Sequence, residues 1–194
     1  YLLLAKIAQK LDENKRVSSL DFNKIEPYLE DNSSFHYLKI KWLVEKDSTK
    51  DAYEYFNKYK NTINITNPIL WAVQSEILGR RLISQKKYRE AYEVMTIDQK
   101  QENQIFANLE FLKGWIALRI FKDRPRAVEH FQSFSQLGSN NEDRSSALYW
   151  IAKSYLANDE KNEAIEYLMK ASKFENTYYG LLSKSEILIE KPES

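Results

Sequence analysis

Four copies of one pentad set the terms on which this chain can fold. Ala52-Tyr53-Glu54-Tyr55-Phe56 is followed by Ala91-Tyr92-Glu93-Val94-Met95, by Ala127-Val128-Glu129-His130-Phe131 and by Ala164-Ile165-Glu166-Tyr167-Leu168, so the alanines stand 39, 36 and 37 residues apart. A small–apolar–Glu–variable–apolar unit returning at that beat belongs to arrays of helix pairs, in which each pair buries its apolar flank against its neighbours. On a helix the residues one and four places after the alanine lie near its face, and the Glu falls on the wetter side. The alanine is small enough to let a neighbouring helix approach closely. Each pentad therefore reads as the second helix, B, of a pair.

A longer apolar-periodic stretch precedes each pentad and reads as the first helix, A. The spacing predicts A helices over residues 35–45, 68–84, 103–121 and 143–157, and B helices over 49–59, 87–95, 125–136 and 161–173. Pro68 and Pro125 suit a first helical turn, where the missing N–H costs nothing. Asn67 is placed to cap the helix that Pro68 opens. Gly138-Ser139-Asn140-Asn141 and Asn158-Asp159 carry turn chemistry. Residues 1–31 read as two more helices of the array, broken around Ser18-Ser19-Leu20-Asp21. Residues 32–190 hold the repeats and a closing helix of the same domain, over 176–190, which Asn176 is placed to cap and whose apolar side carries Tyr178, Tyr179, Leu181 and Leu182. Residues 191–194 read as a polar tail or the start of a linker.

The expected fold is thus all-α: a right-handed superhelix, or solenoid, of stacked helix pairs of tetratricopeptide-like type, with no β-sheet. Composition agrees. Only 4 Gly and 4 Pro occur in 194 residues, too few for the turns of a sandwich or barrel. The chain has no cysteine, which excludes disulfides, thiolate zinc sites and cysteine nucleophiles. A net charge of +1 argues against a dedicated nucleic-acid binder, which needs a basic excess to meet phosphates. The run Leu2-Leu3-Leu4-Ala5 is far too short to span a membrane, and no other stretch approaches the required length. The chain opens on Tyr1 rather than Met, as a processed or excised segment does.

No residue set points to a catalytic centre, a metal or a cofactor. The two histidines, His36 and His130, sit on different repeats, with no neighbouring ligands in the pattern, and read as structural or surface groups. Glu54 and Glu93 read as solvated charges on B helices, and no carboxyl is marked out as desolvated enough for acid–base work. Trp42, Trp71, Trp115 and Trp150 fall one in each A helix. Packing between helices is their plain reading, and stacking on sugar rings or a peptide along a concave face is the functional one. The short basic clusters, Arg80-Arg81, Lys86-Lys87 and Lys39, Lys41, Lys46, read as solvated faces.

Three segments in the second half carry a resemblance. Glu110-Phe111-Leu112-Lys113-Gly114-Trp115-Ile116-Ala117-Leu118-Arg119 leads to Arg126-Ala127-Val128-Glu129-His130-Phe131; Ser146-Ala147-Leu148-Tyr149-Trp150-Ile151-Ala152 follows, and Thr177-Tyr178-Tyr179-Gly180-Leu181-Leu182 closes the set. In that order, over about residues 105–188, they resemble the helical region of soluble lytic murein transglycosylases. The resemblance implies a bacterial cell-envelope enzyme, periplasmic, that cleaves the MurNAc–GlcNAc bond of peptidoglycan without water and leaves a 1,6-anhydro end. It implies a helical scaffold that helps position the glycan strand, and a goose-lysozyme-like catalytic domain after the Tyr-Tyr-Gly helix as its partner. Glu193-Ser194 repeats that family's catalytic dipeptide, but lies behind Pro192 without the flanking sequence, so no catalytic residue carries over. Ligand-binding candidates are Tyr178 and Tyr179 near the domain junction, with Trp115 and Trp150. The rival expectation is a tetratricopeptide-type protein-interaction scaffold with no enzymatic domain, binding a peptide or partner helix in its groove.

Overall fold

The computed structural model describes residues 2–29, 32–60, 64–98 and 100–190, and among them every regular element is helical, with no strand. The tail expected over 191–194 lies outside the described residues. The chain divides into two compact units, Tyr1–Lys100 and Gln101–Ser194.

The first unit holds α1 (Leu2–Asp12), α2 (Ser19–Ile25) running into a 3-10 turn (Glu26–Tyr28), α3 (Ser33–Glu45), α4 (Thr49–Tyr59), α5 (Pro68–Ser84) and α6 (Tyr88–Val94). Here α3 packs on α4 and α5 on α6, while α5 lies against α3 and α6 against α4. The second unit holds α7 (Gln104–Ile116) continued by a π turn (Ala117–Phe121), then α8 (Arg124–Leu137), α9 (Asn141–Leu156), α10 (Lys161–Ala171) and α11 (Tyr178–Glu190). In it α7 pairs with α8 and α9 with α10, α8 lies against α9, and α11 closes over α9 and α10. Within each unit, successive pairs follow one another in chain order.

The pentads sit where their pattern places them. Ala52, Ala91, Ala127 and Ala164 have no exposed surface, and the closing residues Phe56, Met95, Phe131 and Leu168 are at most 1% exposed. Burying each closing side chain is worth roughly 1.5–3 kcal/mol. The second residues, Tyr53, Tyr92, Val128 and Ile165, are only half-buried. One residue on from the alanine is about 100° round the helix, so these side chains edge the buried stripe. Glu54, Glu129 and Glu166 are exposed, whereas Glu93 is half-buried and accepts the Tyr53 hydroxyl at 2.5 Å. That bond holds the Tyr53 phenol up at about 12.

The same beat recurs in the backbone. Asp47, Lys86, Lys122 and Asp159, each five residues before a pentad alanine, are left-handed, with φ of 61°, 60°, 56° and 59°. They are the turns that reverse the chain from A to B. At α3, α5 and α9 the turn is a Schellman cap: Lys86 N donates to Ile83 O and Lys87 N to Leu82 O, both at 2.9 Å, with Asp47 and Asp159 in equivalent bonds. Asn14, φ 52°, ends α1 in the same way. A lysine has no local side-chain bond with which to offset left-handed crowding. Lys86→Gly is therefore expected to stabilise the first unit by about 0.5–1 kcal/mol. Asp47→Gly should give less, since Asp tolerates this conformation better, and urea denaturation of both variants checks the order.

One hairpin departs from this pattern. Gly79 and Gly114 each lie where a Cβ would stand 2.8 Å from the closing side chain of their B helix, Met95 and Phe131 respectively. From Gly79 to its left-handed residue is seven steps, as from Ile40 to Asp47 and from Ala152 to Asp159; from Gly114 to Lys122 it is eight. The π turn takes up that extra residue. Lys122 N and Asp123 N both donate to Ala117 O, and no Schellman cap forms.

The core of the first unit contains His36, which has no exposed surface. Its Nε2 faces Leu29 O at 3.2 Å and its Nδ1 faces Tyr55 Oη at 2.8 Å. A carbonyl only accepts, so Nε2 carries the proton and Nδ1 accepts from the tyrosine hydroxyl. Burial pushes the His36 pKa down, against the Leu29 bond, and Lys58 adds to the lowering. Below the ordinary histidine value of about 6.5 the unfolded chain takes up a proton that the folded chain refuses. Stability from this group is thus full above that pH and falls as the solution is acidified towards the lowered folded value. Urea midpoints at pH 7.5 and 5.5 should separate more in the natural chain than in His36→Gln.

Candidate functional site

The four sequence-predicted site residues all lie in the second unit, and three form one row of rings. Trp150 on α9 meets Tyr149 edge-on at 5.8 Å, Tyr149 lies 5.2 Å from Tyr179 on α11, and Tyr179 meets Tyr178 edge-on at 5.1 Å. Trp115 is half-buried on α7. Most of the row is committed to packing. Trp150 stacks on Phe131 and meets Phe111 edge-on, both at 6.0 Å, and its Nε1 is buried without an acceptor. Tyr149 is buried and donates its hydroxyl to Glu186 at 2.6 Å, and burial together with that bond raises its pKa. Tyr178 alone, 67% exposed, presents an open ring.

The Thr-Tyr-Tyr-Gly segment has a local reason. Thr177 Oγ1 donates to Phe174 O at 2.8 Å and accepts from Gly180 N at 3.0 Å, so Thr177, rather than the expected Asn176, caps α11. Glu142 on α9 accepts the next free amide, Tyr178 N, at 3.2 Å. With the helix start pinned there, Tyr179 and Leu182 turn inward while Tyr178 and Leu181 turn out, 67% and 58% exposed. The expectation of all four on one apolar side is thereby corrected. Residues 178 and 181 share a stripe with Leu188 and Ile189, 65% and 71% exposed, and residues 179 and 182 lie on the other.

Two charged groupings escaped the sequence reading. The first is buried. Glu110 and Lys113, each 2% exposed, and His130, 9% exposed, meet between α7 and α8. Glu110 Oε1 accepts from Lys113 Nζ at 2.7 Å, and Oε2 lies 2.6 Å from His130 Nδ1. The carboxylate is acceptor-only, so Nδ1 carries a proton. This is a clasp inside a helix pair, with its members oriented on one another.

The second is a cavity of about 440 Å³ at the end of the third hairpin. Its charged walls are Arg119 from the π turn, Lys122 from the left-handed turn, Arg124 from the start of α8 and Lys153 from α9; Leu118 and Leu156 supply apolar floor. Two cations are neutralised: Arg124 by Glu160 at 2.5 Å and Lys153 by Glu186 at 3.1 Å. Arg119 and Lys122 form no ion pair among the described residues. The Arg119 guanidinium lies over the Trp150 ring at 5.6 Å, and that of Arg124 over Tyr155 at 5.2 Å. The four cations come from two stretches of chain and are not consecutive, so no contiguous basic run announced them; Arg119, Lys122 and Arg124 within six residues were the available signal. Among the described residues, no group of three or more acidic or histidine side chains is placed to hold a metal. No helix of the described residues is long and apolar enough to cross a membrane.

No protein-family model, no curated protein and no solved structure matches this chain.

Proposed function

We propose that the chain is the non-catalytic, tetratricopeptide-like superhelical scaffold of a periplasmic lytic transglycosylase. In this reading it positions a peptidoglycan glycan strand for a lysozyme-like catalytic domain that cleaves the MurNAc–GlcNAc bond to a 1,6-anhydro product. One observation carries the reading: the Thr177-Tyr178-Tyr179-Gly180 segment, which completes the resemblance, starts a helix whose outer stripe carries four apolar side chains, interrupted by Ser185. Tyr178, Leu181, Leu188 and Ile189 lie on that stripe, each more than half exposed. A solenoid that ends in solvent closes with a polar outer face, so such a stripe suits a helix against which a further domain seats. The open Tyr178 ring suits stacking against a sugar face near that junction.

Co-sedimentation with purified peptidoglycan sacculi tests the proposal. The chain is expected to pellet with sacculi and to stay soluble alone, and Tyr178→Ala is expected to reduce the pelleted fraction. A chain that remains in the supernatant at every protein concentration, or a parent gene that encodes some other domain next to this one, contradicts it.

A further inference from the structure

The cavity at the end of the third hairpin bears on a ligand that the reading above does not specify. Its walls and their carboxylate partners carry four positive and two negative charges, because Glu160 and Glu186 answer Arg124 and Lys153. Arg119 and Lys122 are left facing the same space. Like charges gathered in a concavity with apolar floor repel one another and draw in a counter-charge. Arg119 also has a neighbour that leaves its charge unneutralised: its guanidinium carbon lies 5.6 Å from the Trp150 ring centroid, and a guanidinium carries the paired N–H donors that match a carboxylate or phosphate.

The backbone supplies a second, independent observation. Against the second hairpin, whose Gly79 meets its closing side chain as Gly114 does, this one carries an extra residue before its left-handed turn, and among the described residues it alone ends in a π turn. Arg119 lies inside the π turn and Lys122 immediately after it, in a left-handed conformation that a lysine adopts at a cost. Single π turns of this kind concentrate at functional sites. The insertion thus coincides with the two cations that have no carboxylate.

We propose that this cavity is an oxyanion site, in which Arg119 and Lys122 hold a carboxylate or phosphate group of a small ligand and Leu118 and Leu156 carry its adjoining ring or chain. Arg124 and Lys153 keep the field positive while remaining held by Glu160 and Glu186. The site does not depend on the glycan reading, because a sugar acid and a sugar phosphate offer the same oxyanion.

The test is titration of the chain, followed by backbone amide shifts, with three probes: N-acetylmuramic acid, N-acetylglucosamine 6-phosphate and neutral N-acetylglucosamine. At least one anionic probe is expected to bind with shifts centred on residues 118–124, at least about tenfold more tightly than the neutral sugar, and to weaken as salt is raised. Arg119→Gln/Lys122→Gln is expected to lose that preference, while Lys170→Gln, on α10 outside the cavity, keeps it. Deleting Ile120 should let the hairpin close like the other three and also lose binding. Should the deletion fail to fold, the paired substitution still decides. Binding of the phosphate probe but not the muramate supports the oxyanion site while counting against the glycan source. Equal affinity for charged and neutral sugars, no binding of any probe, or an anion affinity unchanged in the paired variant overturns the proposal.

Discussion

Replacing Glu110 with alanine is expected to destabilise the unit Gln101–Ser194 by about 3–5 kcal/mol. The carboxylate accepts from Lys113 and from His130 at once, and its removal sets a buried ammonium and a buried imidazole against a methyl group. The cost of stranding one member of a buried pair exceeds the net worth of the pair, because desolvating the ions offset much of their attraction in the first place. The companion variant should behave oppositely. Glu110→Leu with Lys113→Met removes both ions and refills the volume, so that only the His130–Glu110 bond is lost uncompensated, and is expected to lie within about 1–2 kcal/mol of the natural chain. Urea denaturation followed by Trp fluorescence reads both. A single variant as stable as the natural chain, or a double variant weaker than the single, would show that the clasp does not work in this way.

Gly180→Ala is expected to cost about 3 kcal/mol, the upper part of the range for overpacking. Alanine is ordinarily the better helix former, by about 1 kcal/mol, so an exposed helical glycine would respond with the opposite sign. Here a Cβ would collide with Phe174 O and stand 2.8 Å from Thr177 Oγ1. The first of these is backbone, held by the Thr177 hydroxyl, and cannot swing away as a flexible side chain can. The start of α11 would have to move, releasing Tyr179 and Leu182 from α9 and α10. Faster amide exchange along α11, with exchange in α7 and α8 little changed, is the accompanying signature.

How much of this was legible depends on which forces write themselves as periodicity. The A helix over 68–84 and the B helix over 49–59 coincide with α5 and α4, because Pro68, Asn67 and the pentad mark their ends locally. Asn67 caps as expected, accepting from Leu70 N at 3.4 Å. Asn158-Asp159 showed its turn chemistry, but the left-handed turns at Lys86 and Lys122 were hidden, since lysine does not announce a positive φ, and only their common distance from the pentad alanine ties them to the turn. The π turn is a count of eight against seven, visible only once Gly114 has been aligned with Gly79. Glu110 and Lys113, three apart on a helix, have the look of an ordinary surface pair, and nothing local separates that from a buried clasp with His130. The cavity was hidden for a different reason. Arg119, Lys122 and Arg124 are close in sequence, but only packing brings Lys153 of α9 to them and Glu160 and Glu186 to two of the four.

The claim beneath all of this is that one repeating backbone plan, helix A, left-handed reversal, pentad helix B, recurs four times. Backbone chemical shifts and three-bond amide–α-proton couplings of the intact chain measure it residue by residue. The account predicts helical shifts through Ala52, Ala91, Ala127 and Ala164, no run of consecutive strand-like shifts within the described residues 33–60, 64–98 and 100–190, and positive-φ signatures at Asp47, Lys86, Lys122 and Asp159. Helical values running unbroken through those four residues, or extended shifts across any pentad, would contradict it.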